Sequence, residues 1–102
     1  MNVILTHGCG EYPQKRIEEV NAYLLEKGHT PFTRTPASDS EYVGGEKHME
    51  CDIYLAAFNY MNWDHLIAAI RTAQWNDPER VQVFVKDEDE ELFTEREWRE
   101  HA

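Results

Sequence analysis

Three short apolar stretches punctuate this chain, and the segments between them carry helical periodicity. The stretches are residues 2–6 (NVILT), 52–58 (DIYLAAF) and 80–85 (RVQVFV). Each is rich in β-branched or aromatic residues and too short for a stable helix, so each predicts a strand. The first suits a strand buried on both faces, and the second, apolar almost throughout, suits a central one. After the first stretch, Pro13 fits the opening turn of a helix, where its missing N–H costs nothing. Ile17, Val20 and Leu24 follow at helical spacing, and Gly28 is the stop signal after Lys27, which predicts a helix over 13–27. After the second stretch, Asn62 is a good N-cap and Asp64 places negative charge in the first turn. Trp63, Leu66, Ile67, Ile70 and Ala73 make one apolar face, and "NDP" at 76–78 ends that helix.

The remaining segments are weaker. Residues 29–35 (HTPFTRT) predict a second strand, held to an edge by Pro31. Residues 36–45 have loop composition, and residues 46–50 fit a short helical turn. A last helix is expected from Thr94, because Thr94 with Glu97 fits a capping box and Phe93 with Trp98 fits a staple around it.

Strands alternating with helices predict an α/β fold. The expected architecture is a small flavodoxin-like or Rossmann-like three-layer sandwich, with four parallel strands in the order 2-1-3-4. At 102 residues it is a single domain spanning 1–102. The short turn at 46–50 would leave part of the sheet uncovered, and that patch suits a homodimer.

Charge narrows the partners. The chain has 20 acids and 10 bases, a formal net charge of -10, which disfavours nucleic acid and anionic membranes. Acids crowd the end, with Asp87, Glu88, Asp89, Glu90, Glu91, Glu95, Glu97 and Glu100 against Lys86, Arg96 and Arg99. They read as a solvated face or as a docking surface for a basic partner. No long apolar run and no secretory leader stand out, and two cysteines make no disulfide framework, so a cytoplasmic protein is expected.

In an open parallel sheet, ligands bind beyond the carboxyl ends of the strands, where strand order reverses. That rule brings residues 7–13 (HGCGEYP) and 59–64 (NYMNWD) to one cleft. Its candidate ligand residues are His7, Gly8, Cys9, Gly10, Glu11, Tyr12, Asn59 and Tyr60. "GCGEYP" has G-x-G but lacks the third glycine of a dinucleotide loop, and Glu11 opposes an anion. Cys9, near His7 and a helix N-terminus, sits where a thiol can be activated. No residue is identified to orient the histidine. Asp64 is the candidate catalytic carboxylate, or else only complements the helix dipole. Tyr12, Tyr60 and Trp63 can stack on a base or sugar, or complete the core.

His7, Cys9, His48 and Cys51 are zinc-type ligands. A parallel third strand would put Cys51 at the opposite edge of the sheet from His7, roughly 17–20 Å away. No metal and no cofactor are therefore expected.

Three stretches resemble the nucleoside 2-deoxyribosyltransferase-like group of small α/β proteins. They are "NVILTHG", "YLLEKGHTPFTRTP" and "CDIYLAAFN", and the likeness spans roughly residues 3–85 at the level of pattern. The resemblance implies a nucleoside or nucleotide ligand and a catalytic glutamate after the third strand. The matching stretch, "NYMNWDHLIAAIRTA", has no glutamate, and Asp64 is the nearest carboxylate. The same stretch is similar, more weakly, to TIR domains, where a tryptophan precedes a catalytic glutamate; Ile67 stands in that place.

Three functions follow as expectations. The first is binding of a nucleotide- or nucleoside-like ligand without the family's chemistry. The second is an interaction or inhibitor protein, of the kind phages and mobile elements encode, acting through acidic residues 87–100. The third is a deoxyribosyltransferase or nucleoside hydrolase that uses Asp64.

Overall fold

The computed structural model describes residues 1–8, 13–35 and 51–99. They form β1 (Asn2–Gly8), α1 (Pro13–Glu26), β2 (Thr33–Arg34), β3 (Cys51–Ala57), α2 (Trp63–Arg71), β4 (Gln82–Lys86) and β5 (Thr94–Arg96). A 3-10 turn, Pro78–Arg80, precedes β4. The loop and helical turn expected within 36–50 lie outside the described residues.

The strands make one sheet in the order β2-β3-β1-β4-β5, and every pairing is antiparallel. This overturns the expected flavodoxin-like sandwich with its parallel order 2-1-3-4. Each helix does join two strands that run the same way, β1 to β2 and β3 to β4. Neither pair is adjacent, because β3 lies between β1 and β2 while β1 lies between β3 and β4. Two split βαβ units therefore interleave, which is the ferredoxin-like arrangement, with β5 added at one edge. The parallel sheet implied by the family resemblance is likewise not the one found.

The described residues form two layers rather than three. Val3, Leu5 and His7 of β1, Asp52 and Tyr54 of β3, and Val83 and Val85 of β4 are buried on one face of the sheet. Against that face α1 packs Ile17, Val20 and Leu24, and α2 packs Leu66, Ile67, Ala69 and Ile70. The two helices also touch each other. The strand read as buried on both sides, residues 2–6, is buried on one.

The helix ends follow their local signals. Gly28 takes φ +82, a left-handed conformation that costs a residue with a side chain about 1–2 kcal/mol. The N–H groups of Gly28 and His29 then reach the carbonyls of Leu25 (3.1 Å) and Leu24 (2.8 Å), closing α1 as a Schellman motif. At α2, Asn62 Oδ1 accepts the N–H of His65 at 2.8 Å. Asn62→Ala is expected to cost about 1 kcal/mol, and Asn62→Ser almost nothing. In thermal unfolding the alanine variant should melt about 4–8 °C lower; an unchanged midpoint would show that the cap carries no stability.

The helix expected from Thr94 is instead the edge strand β5 and a return segment. Phe93 is exposed on the face of the sheet away from the helices, while Trp98 enters the core, so the two do not staple a helix. The Trp98 indole donates to the Val81 carbonyl at 2.9 Å. Arg99 donates to the carbonyls of Pro78 and Val81 at 2.7 and 2.6 Å, and Arg71 donates to the Arg99 carbonyl. These bonds tie the return segment to the 3-10 turn before β4 and to α2, and β5 pairs the edge that β4 would otherwise leave open. Among the described residues, no helix is long and apolar enough to cross a membrane.

Candidate functional site

The two loops expected to share a cleft lie at opposite ends of the sheet. His7 pairs with Asp52, whereas Asn2 pairs with Ala57, so residues 59–64 leave β3 beside the start of β1. Five strand positions, roughly 17 Å, separate the ends. The cause is the reversed direction of β3. Residues 9–12, and with them Cys9, Gly10, Glu11 and Tyr12, lie outside the described residues.

At the far end of β1, His7 is fully buried. Its Nδ1 donates to the Gly8 carbonyl at 2.9 Å, which leaves Nε2 to accept the Tyr54 hydroxyl at 3.2 Å. The His7 ring packs against Tyr54 and Trp75, with centroids 5.4 and 5.7 Å away. Burial pushes the Tyr54 hydroxyl up to about 12; the Asp52 carboxylate adds to the rise and the Arg34 guanidinium opposes it. Asp52 is itself buried and pairs with Arg34 at 3.0 Å. Both His7 ring nitrogens are thus committed to internal partners. The pair seals a polar spot under the helices and offers no surface to a ligand.

The separation expected to exclude zinc does not exist, because Cys51 pairs directly with Gly8 and so lies beside His7. What separates them is the pleat. His7 points to the helices, while Cys51 and Gly8 lie on the opposite face, where Arg80 Cδ would come within 3.3 Å of a Cβ at Gly8. Among the described residues no group of three His, Cys, Asp or Glu side chains could hold a metal ion.

At the other end, Asn59 and Tyr60 face residues 87–89 across a cleft of about 540 Å³ beside Met1. Tyr60 is fully exposed and takes φ +57, a rare conformation for an aromatic residue. Asp64 is exposed on the first turn of α2. Trp63 is partly buried against the core, and the Arg96 guanidinium lies 5.8 Å from its ring centroid. The acidic stretch is partly engaged inside the chain. Glu90 and Asp87 hold Arg96 at 2.8 and 3.8 Å, and Glu97 holds Arg99 at 3.0 Å. Glu88, Asp89 and Glu91 are exposed and make no hydrogen bond or ion pair among the described residues.

An uncovered patch of sheet is expected from the short turn at 46–50, but its place and the residues that form it follow from the antiparallel register. With both helices on one face, no described helix or strand packs on the other, and only side chains such as Arg80 lie over one end of it. The register sets Thr33, Leu55, Ile4, Phe84 and Glu95 side by side in one row across all five strands. Polar or small residues flank it, Ala57–Asn2–Lys86 on one side and Ile53–Thr6–Gln82 with a lone isoleucine on the other. A trough of about 710 Å³ crosses this face, lined by Ile4, Leu55, Ala57, Thr33, Lys86 and Phe93. Leu55 is 45% exposed and Phe93 43%. Solvated faces of antiparallel sheets are ordinarily polar, so an apolar centre with a polar rim is the exception that points to association. Phe84 was the available signal. It stands between inward Val83 and Val85, so it must share the outward side with Gln82 and Lys86.

Comparison with family models, with curated proteins and with solved structures finds no match for this chain.

Proposed function

We propose that this chain is a protein-interaction module that docks through the uncovered face of its sheet. The observation that carries the reading is the apolar centre of the row, Leu55–Ile4–Phe84, laid across three adjacent strands within a polar rim. Burying such side chains against a partner contributes roughly 25 cal/mol per Å² removed from water, which must exceed the entropic cost of association. The cleft expected to hold a nucleoside-like ligand joined His7 to Asp64, and the two stand at opposite ends of the sheet. Nucleic acid is disfavoured by the charge of -10 and by the aliphatic Ile4, Ile53 and Leu55 on the two central strands, where base stacking needs aromatic rings.

A photo-crosslinking residue placed at position 84 tests the reading, with position 25 as the control, since Leu25 is exposed on α1 away from this face. Protein adducts in living cells are expected from position 84 and not from position 25. Equal yields from the two, or none from position 84, would overturn it.

A further inference from the structure

We infer that the occupant of this face is a second copy of the same chain, stacked sheet to sheet about a two-fold axis running along β1. The inference rests on the interaction reading above and adds the partner and its orientation.

Self-complementarity supports the two-fold. A two-fold contact brings the same surface of both copies together, so each residue must suit its own symmetry-related position. β1 is the middle strand of five. An axis along it lays β3 of one copy over β4 of the other, and β2 over β5. On the central row, Ile4 then meets Ile4, Leu55 meets Phe84, and the Thr33 hydroxyl meets the Glu95 carboxylate. On the flanking rows, Lys86 falls over Ala57 and Gln82 over Ile53. No like charges meet in these rows. Packed sheets stand about 10 Å apart, which side chains of this size fill.

Charge supports the same partner. Two chains that each carry -10 repel, and a stable contact needs a surface where the acid excess is missing. Among the described residues, the charged side chains that border this face are Lys86, Arg80 and Arg99 against Glu79 and Glu95. The balance there is near neutral, and the unpaired acids Glu88, Asp89 and Glu91 belong to the loop at its end. This face therefore offers two acidic copies a way to meet without setting acid against acid.

The test uses Leu55→Lys and Phe84→Glu, each alone and the two mixed. Sedimentation equilibrium up to about 1 mM detects even a weak self-association. Wild-type protein is expected to dimerise, and each variant to sediment as a folded monomer. An equimolar mixture should regain the dimer. The axis sets the lysine introduced at position 55 of one variant on the glutamate introduced at position 84 of the other, and it keeps the native Phe84–Leu55 contact on the second side. A mixture that stays monomeric overturns the proposed axis and with it the inference. Wild-type protein that stays monomeric also overturns it. In that case variants with an unchanged unfolding temperature leave the face open and the interaction reading standing. Variants that melt well below the monomeric wild type would show that the chain covers its own face, and both readings would fall.

Discussion

Trp98→Ala should cost about 3–5 kcal/mol, the usual penalty for truncating a buried tryptophan. Trp98 is 3% exposed and stands edge-on to Trp75 at 6.4 Å. Trp75 in turn packs on His7, so the indole closes a line of rings that runs into the core from the chain's C-terminal segment. Truncation also leaves the Val81 carbonyl to Arg99 alone and loosens the segment that covers the β4 edge. A domain of this length has about 5–15 kcal/mol in total, so the loss is a large fraction. Urea unfolding should show a midpoint lowered by roughly a fifth or more. Trp98→Phe keeps much of the packing and loses the hydrogen bond, so its midpoint should fall between those of wild type and the alanine variant. If Trp98→Ala matched wild type, the return segment would not be docked as described.

The same tryptophan shows how local signals can be sound and still misassigned. Thr94 with Glu97 has capping-box spacing and Phe93 with Trp98 has staple spacing, but neither motif knows that an unpaired edge of β4 is nearby. Tertiary pairing outweighs a cap worth about 1 kcal/mol. Where no competing partner exists, the local signals and the observed ends agree. Pro13 opens α1, Gly28 closes it, and Asn62 caps α2.

Strand direction is what the alternation of elements leaves open. Alternating strands and helices describe a doubly wound parallel sheet and an interleaved split βαβ pair equally well, since each helix joins strands of one direction in both. The period-2 pattern distinguishes them. In "RVQVFVK", Val81, Val83 and Val85 alternate with Gln82 and Lys86, which a strand covered on both faces would not tolerate. Reversing β3 exchanges the ends at which residues 51 and 59 lie. That one change dissolves the cleft between His7 and Asp64, removes the distance held against zinc, and brings an apolar row to the uncovered face.

Alkaline unfolding tests the buried His7–Tyr54 pair. In the folded protein the Tyr54 hydroxyl holds its proton up to about 12, two pH units above its ordinary value of 10. Below pH 10 the hydroxyl is neutral in both states, and its contribution to stability is fully present. Between 10 and about 12 the unfolded chain loses the proton and the folded one keeps it, so stability falls by about 1.4 kcal/mol per pH unit. The loss is complete once the folded value is passed, at roughly 2–3 kcal/mol in total. Tyr54→Phe removes this dependence and also leaves the buried His7 Nε2 without its donor, at a cost of about 1–3 kcal/mol. The variant should therefore be less stable than wild type at pH 8. The gap should close as pH rises from 10 to 12, because only wild type must keep a phenol neutral. Parallel curves for the two proteins across that window, measured by urea unfolding at fixed pH steps, would mean that Tyr54 ionises in the fold as freely as in the unfolded chain and that the pair is not sealed.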